Sequence, residues 1–356
     1  MTMLDQPERW KPIDPQSMYL LVESFPEQIK SASMVEADRA LPDAGIATSL
    51  VVTGLGGSAI GGDLARSIAG RSARMPFLVS RDYDLPGFVG RSSLVIACSY
   101  SGNTEETLSA YQQARKAGAA VVCITSGGQL EASANADGFP VFRLPVGLPP
   151  RAALGHSLLT LLVALEKLQV VSGLEKPIKE SIELLEALRS RYGVSNPESD
   201  NRAKILANSL FGKIVAIYGS TGVMDSVAFR WRTQIEENAK NLALHQAVPE
   251  MNHNELVGWV YPEEVLRRVG VVLLRDKGDH PQVQRRFDLT AELVARKAGV
   301  VHEIWSEGDS LLARVLSTLY LGDFVSIYMS YLNNVDPTPV EVIDYLKKEL
   351  ASGGRA

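Results

Sequence analysis

Ser93-Leu94-Val95-Ile96-Ala97-Cys98, followed by Ser99-Tyr100-Ser101-Gly102-Asn103-Thr104-Glu105-Glu106-Thr107, is the stretch that decides the fold. The first six residues are a short apolar run of strand type. Residues 104–117 read as a helix that stops at Gly118. Between strand and helix lies a tight turn carrying the hydroxyls of Ser99, Ser101 and Thr104, with Gly102 allowing the backbone close to a ligand. The helix N-terminus adds unpaired N–H groups and a partial positive charge. Ser, Asn and Thr are ordinary caps, so one hydroxyl here would mean only a capped helix. Three within six residues, at the carboxyl end of an apolar strand, point to a site for a phosphate ester that uses no Lys or Arg.

Outward from this turn, strand and helix patterns alternate. Residues 48–53, 77–80, 93–98, 120–125 and 141–144 read as strands, and 59–68, 104–117 and 130–136 as helices. Such alternation predicts a parallel sheet with helices on both faces. The first strand runs into Gly54-Leu55-Gly56-Gly57-Ser58-Ala59. This matches the dinucleotide pattern G-x-G-x-x-G/A, and Asp82 stands where that pattern wants an acidic residue for the ribose. The second hydroxyl turn favours the other reading, in which two small-residue turns converge on one compact sugar phosphate. Gly61 and Gly62 are expected to serve helix–strand packing.

Leu148-Pro149-Pro150-Arg151 opens a further helix, which is expected to run to residue 170. In its first turn Arg151 opposes the helix dipole, which calls for a carboxylate or ligand partner. Residues 172–202 are polar, with an exposed connecting helix over 178–192, and the domain boundary falls there. The alternation then restarts: strands at 213–218, 269–274 and 299–304, helices at 224–240, 282–298, 311–331 and 339–350. The helix over 224–240 ends in Gln234-Ile235-Glu236-Glu237-Asn238-Ala239-Lys240. Two carboxylates there oppose the helix dipole, so one of them is a candidate general base with a raised pKa. A polar loop is expected over 242–256, carrying His245 and His253.

Hydrophobic content of 46% and charged content of 22% over 356 residues fit a globular chain of two domains. A net charge of −5 and the lack of a basic run argue against a nucleic-acid binder. The N-terminus is polar, and no stretch reads as a membrane span. Cys98 and Cys123 sit in strand-like runs and read as buried thiols. No Cys/His cluster has zinc spacing, so no metal is expected. A cytoplasmic location follows as the expectation.

Six motifs together resemble one family: Gly56-Gly57-Ser58, Ser99 to Thr104, Pro150-Arg151-Ala-Ala-Leu-Gly155, Glu236-Glu237-Asn-Ala-Lys240, Pro249-Glu-Met-Asn-His253-Asn-Glu255, and Asp336-Pro-Thr-Pro339 with Tyr345-Leu-Lys-Lys348. The chain resembles the bifunctional phosphoglucose/phosphomannose isomerases from about residue 48 to its C-terminus. The implied fold is α/β: two SIS-type doubly wound domains, each a parallel β-sheet flanked by helices. The implied division is an N-terminal helical segment (1–47) packing on the first domain, SIS domain 1 (48–172), a connecting helix and loop (173–202), and SIS domain 2 (203–356).

The resemblance implies interconversion of aldose 6-phosphates with fructose 6-phosphate through a cis-enediol, with no cofactor and no metal. Gly57, Ser58, Ser99, Ser101 and Thr104 would hold the sugar 6-phosphate. Arg151 would stabilise the enediolate, and Glu237 would move the proton between C2 and C1. His253 would help to open the ring with a C-terminal lysine, taken as Lys347 rather than the adjoining Lys348. Thr338 would leave space beside C2. The His253 loop would reach the partner's site, which implies a homodimer, with no nucleic-acid or membrane partner. Three rivals are a sugar-phosphate sensor built on SIS domains, an SIS isomerase of another sugar phosphate, and a nucleotide-dependent oxidoreductase. The first lacks a basic DNA-binding segment in residues 1–47, and the third lacks a recognisable nicotinamide pocket.

Overall fold

Two parallel sheets carry the chain's functional loops. The structure is a computed structural model and describes residues 2–70 and 72–353. The first sheet contains β1 (Ser49–Thr53), β2 (Phe77–Ser80), β3 (Ser93–Ser99), β4 (Ala120–Thr125) and β5 (Val141–Arg143), in the order β2-β1-β3-β4-β5. Every neighbouring pair is parallel. All of β1 and β3 is buried, as their unbroken apolar runs require of central strands covered on both faces. The chain goes outward to β2 and returns to β3, so strand order reverses between β1 and β3. The loops leaving those two strands therefore flank the crevice at the switch point. They are the Gly54–Ser58 and Ser99–Thr104 turns.

The second sheet repeats the plan with four parallel strands: β6 (Ile214–Ser220), β7 (Ala243–Val248), β8 (Val269–Arg275) and β9 (Val300–Trp305), in the order β7-β6-β8-β9. Strand β7 corrects the expectation of a polar loop over 242–256. It is an edge strand in which Leu244, His245, Gln246 and Ala247 are exposed or half-buried. An edge position tolerates the His-Gln pair that hides the strand pattern in the sequence.

Helix Leu311–Leu332 is the centre of the second half, buried along almost its whole length against helices Met224–Ala239, Glu175–Tyr192 and Arg202–Leu210. Contrary to the sequence reading, it is apolar and long enough in composition to span a bilayer. Its most apolar window is 89% buried inside the protein, which accounts for that composition. Helix Glu175–Tyr192 is half-buried rather than exposed, through Ile178, Ser181, Leu185, Leu188 and Tyr192.

The N-terminal segment packs on both halves, not on the first alone. Trp10 stacks on Tyr331 and Phe25 on Tyr320, with ring centroids 5.1 and 5.4 Å apart. Asp5 meets the buried Lys204 at 3.0 Å. Phe25 and Gln28 also lie against Gly155, and Gln28 Nε2 donates to the Ala152 carbonyl at 2.8 Å. The segment thus braces the turn that carries Arg151.

Candidate active site

The hydroxyl turn after β3 is organised by its own side chains. The Ser99 and Thr104 hydroxyls are 2.9 Å apart, and Gly102 N–H donates to Ser99 Oγ at 3.1 Å. Asn103 N–H donates to Ser101 Oγ at 3.2 Å. Gly102 has φ +69°, and a Cβ there would stand 1.8 Å from the Gly127 carbonyl oxygen, so only glycine fits. Thr104 precedes helix Glu105–Lys116 without capping it through its side chain, and Leu55 does the same for helix Gly56–Ala69. Two helix starts without a side-chain cap therefore adjoin the switch-point crevice, as an anion site requires. Ser58 is half-buried, and its hydroxyl makes no hydrogen bond among the described residues.

The Gly57 turn leads to Arg151. A Cβ on Gly57 would lie 3.2 Å from the Pro150 carbonyl oxygen, so its absence lets the two loops touch. Pro150–Ala153 is a 3-10 turn, and the α-helix proper is Leu154–Lys167, ending before the expected residue 170. Arg151 is buried, with its side chain 5% exposed. Its Nη1 lies 3.6 Å from Glu237 Oε2. Its Nε donates to Asn238 Oδ1 at 2.7 Å, and Nη2 donates to the carbonyls of Pro337 and Thr338 at 2.5 and 2.8 Å. Burial lowers the Arg151 pKa from its ordinary value, and Glu237 opposes that shift.

Geometry separates the two adjacent carboxylates. Glu236 pairs with Arg232 at 3.5 Å on another side of the helix, while Glu237 faces Arg151. Burial pushes the Glu236 carboxyl up, with Arg232 opposing. The helix ends at Lys240, which adopts the left-handed conformation. Lys240 Nζ caps the carbonyls of Glu237 (2.7 Å) and Pro337 (3.2 Å). Burial and the nearby Arg151 lower the Lys240 pKa. Glu236 and Glu237 both open on a cavity of about 760 Å³ that Lys240, Asp336, Val340 and Ile343 also line, so the contact with Arg151, not access to the cavity, distinguishes them.

Thr338 comes to this site with its carbonyl on Arg151, its N–H on Asp336 Oδ1 (2.8 Å) and its hydroxyl oxygen buried without a hydrogen-bond partner among the described residues. His253 does not. Glu237 precedes β7 and His253 follows it, at opposite ends of that strand. Strand β7 has six residues, so at about 3.3 Å per residue its ends stand about 16 Å apart. His253 is exposed. Lys347 and Lys348 lie on helix Glu341–Gly353, whose residues 341–350 are all exposed. Neither lysine has a partner among the described residues. One chain therefore brings together the Gly54–Ser58 and Ser99–Thr104 turns, Arg151, Glu237 and Thr338, but not His253 or Lys347.

Sequence reasoning missed the groups behind Arg151. Arg230 makes a two-pronged pair with Asp323 at 3.1 and 3.0 Å and donates to the Arg151 carbonyl at 2.7 Å. A signal existed: Asp323 is the lone charge in an otherwise uncharged helical run, since residues 315–332 contain no other charged side chain. A buried carboxylate of that kind demands a partner.

Paired parallel sheets, with hydroxyl turns at the first switch point and a Glu–Arg pair between the halves, make a two-domain α/β protein of the SIS class. An SIS domain model matches residues 47–146, and a bacterial phospho-glucose isomerase C-terminal SIS domain model matches 199–350. A bifunctional phosphoglucose/phosphomannose isomerase of Caldicellulosiruptor bescii is 44% identical over 94% of this chain and 99% of its own. The chain belongs to the bifunctional phosphoglucose/phosphomannose isomerase family. A D-glucosamine-6-phosphate 4-epimerase of Sulfolobus acidocaldarius is 29% identical over 87% of this chain and 92% of its own. The crystal structure of a glucose-6-phosphate isomerase like protein from Thermus thermophilus shares the fold, with TM-score 0.65 and 21% identity over 98% of this chain and 99% of that one.

Proposed function

We propose that this protein interconverts glucose 6-phosphate and mannose 6-phosphate with fructose 6-phosphate in one site. The observation that carries the reading is the 3.6 Å approach of the Glu237 carboxylate to the buried Arg151 guanidinium, which joins a base to an oxyanion stabiliser. The 6-phosphate binds at Gly57, Ser58, Ser99, Ser101 and Thr104. Glu237 takes the C2 proton of the open-chain aldose, and the electron pair moves to give an enediolate. Arg151 Nη1 faces the developing negative oxygen. The O2 hydroxyl hydrogen passes to O1, Glu237 returns its proton to C1, and the carbonyl now stands at C2. Glucose and mannose phosphates differ only at C2 and share this intermediate. The short Thr338 side chain leaves room for rotation that presents either face of C2 to Glu237.

We further propose a homodimer in which His253 of each chain serves its partner's site in ring opening, with Lys347. The separation of His253 from Glu237 by the length of β7 supports this sharing.

The test is to incubate pure protein with fructose 6-phosphate alone and identify the sugars formed. Glucose and mannose 6-phosphates together support the proposal. Glucose 6-phosphate alone reduces the protein to one activity. Inertness on fructose 6-phosphate, with conversion of glucosamine 6-phosphate to its 4-epimer, would replace the proposal by the reaction for which the Sulfolobus relative is named.

A further inference from the structure

Arg151 and Arg230 lie side by side, yet their charges are treated differently. Arg230 is compensated by a carboxylate, Asp323, through two hydrogen bonds. Arg151 spends three of its five guanidinium N–H groups on neutral acceptors: the Asn238 amide and the carbonyls of Pro337 and Thr338. Those three bonds fix the guanidinium plane and leave Nη1 as the group that faces Glu237. Asn238 is itself held. Its Nδ2 donates to Ser326 Oγ at 2.9 Å, and that hydroxyl donates to the Asp323 carbonyl at 2.7 Å. Asn238 is 1% exposed and lines no part of the cavity beside Glu237.

We infer that Asn238 is a positioning residue: its neutral amide aims Arg151 at the reacting oxygens and adds no second counter-charge to Glu237, so that the guanidinium charge is free for the enediolate once Glu237 has taken the proton. The amide meets both neighbours without charge, since it accepts from Arg151 and donates to Ser326. An aspartate of the same shape would keep the contact to Arg151 Nε. It would also hold a negative charge against Arg151, which then has less potential to offer a second anion. The inference rests on the roles proposed above for Arg151 and Glu237. The other charged groups facing this pair are Arg230 and Asp323 behind it, Glu236, Arg232 and Lys240 on its own helix, and Asp336 and Glu341 across the cavity.

The experiment compares Asn238→Asp, Asn238→Ala, Ser326→Ala and Glu237→Gln in the intact protein, by kcat, KM for fructose 6-phosphate and the pH dependence of kcat/KM. Asn238→Asp should lose about 10²-fold in kcat, the scale of one lost oxyanion donor. Its KM should hold, because the phosphate grip lies elsewhere. The acid limb of its kcat/KM profile should move to higher pH, because the added carboxylate takes up part of the Arg151 charge. Asn238→Ala should lower kcat with the acid limb unmoved. Ser326→Ala should give a smaller kcat loss of about tenfold, since it frees Asn238 without removing it. Thermal unfolding of each variant separates these effects from lost folding, and Ser326→Ala carries the test if Asn238→Asp does not fold. Wild-type kcat and an unshifted acid limb in folded Asn238→Asp, or wild-type kcat in folded Ser326→Ala, would overturn the inference while an inactive Glu237→Gln leaves the active-site reading standing. An active Glu237→Gln would instead remove the reading on which it rests.

Discussion

Removing Asp323 exposes the cost of the polar layer behind the site. Arg230 and Asp323 are 2% and 6% exposed in their side chains, and two N–H···O bonds of 3.1 and 3.0 Å join them. Asp323→Asn keeps the volume but leaves Arg230 as a buried cation with no counter-charge. Breaking a buried pair from one side costs about 3–5 kcal/mol. Each kcal/mol lowers Tm by about 2 °C in a chain of this size, so a fall of roughly 6–10 °C is expected. The reverse deletion is milder. Burial already pushes the Asp323 carboxyl up, and Arg230 opposes that shift. In Arg230→Met the abandoned carboxyl can take up a proton, whereas a guanidinium cannot give one up. The folded form of Arg230→Met then binds more protons than the unfolded chain, so its deficit should shrink as pH falls from 7 to 5. The double change Arg230→Met/Asp323→Leu should recover most of the loss. Thermal denaturation of the variants at pH 7 and pH 5 reads all of this. A loss below about 1 kcal/mol in Asp323→Asn, the range of an exposed pair, would refute the reasoning.

Further outcomes follow from other parts of the structure. Gly102→Ala forces a left-handed residue against the Gly127 carbonyl; KM should rise about tenfold or more, a penalty of at least about 1.4 kcal/mol on phosphate binding, with kcat far less affected. Inactive Glu237→Gln and His253→Ala chains, mixed under conditions of subunit exchange, should regain about one quarter of wild-type activity, since one site in each mixed dimer is intact; no recovery despite exchange would place every site within one chain. Burial lowers the imidazole pKa of His156, His245 and His302. Their stability contribution is present above the ordinary imidazole value and lost as pH falls through it toward the folded values, so unfolding near pH 6 should take up protons at these side chains. Replacing His302 by Asn should reduce that uptake, and unchanged uptake would contradict the assignment.

Much of this molecule was legible in the chain because its signals are local. The β3 run is apolar on both faces and ends in a turn whose Gly102 tolerates no side chain, so strand, turn and helix could be read from adjacent residues. The helix end that carries Glu236 and Glu237 is local in the same way. Strand β7 was hidden because an edge strand need not be apolar, and His245 and Gln246 broke its pattern. The brace formed by Trp10 on Tyr331 was hidden because residues more than 300 apart in the chain make it. From its position alone Arg151 read as an unusual cation at a helix start, and only the family resemblance gave it the enediolate role. Its meaning lies in acceptors from residues 238, 337 and 338, which only the folded chain brings to one guanidinium. The sequence also could not tell Glu236 from Glu237 without a family pattern, since one residue along a helix turns the side chain by about 100°.

The central claim is that Glu237 carries the proton between C2 and C1. It is tested most directly by supplying fructose 6-phosphate in deuterated water to the wild type, Glu237→Gln and Glu236→Gln, and following deuterium at sugar carbons by NMR. The account predicts deuterium at C2 of both glucose and mannose 6-phosphates with the wild type and with Glu236→Gln. It predicts a loss of at least about 10²–10⁴-fold in exchange with Glu237→Gln, while fructose 6-phosphate still binds. Exchange at the wild-type rate in Glu237→Gln, with Glu236→Gln inert, would contradict it.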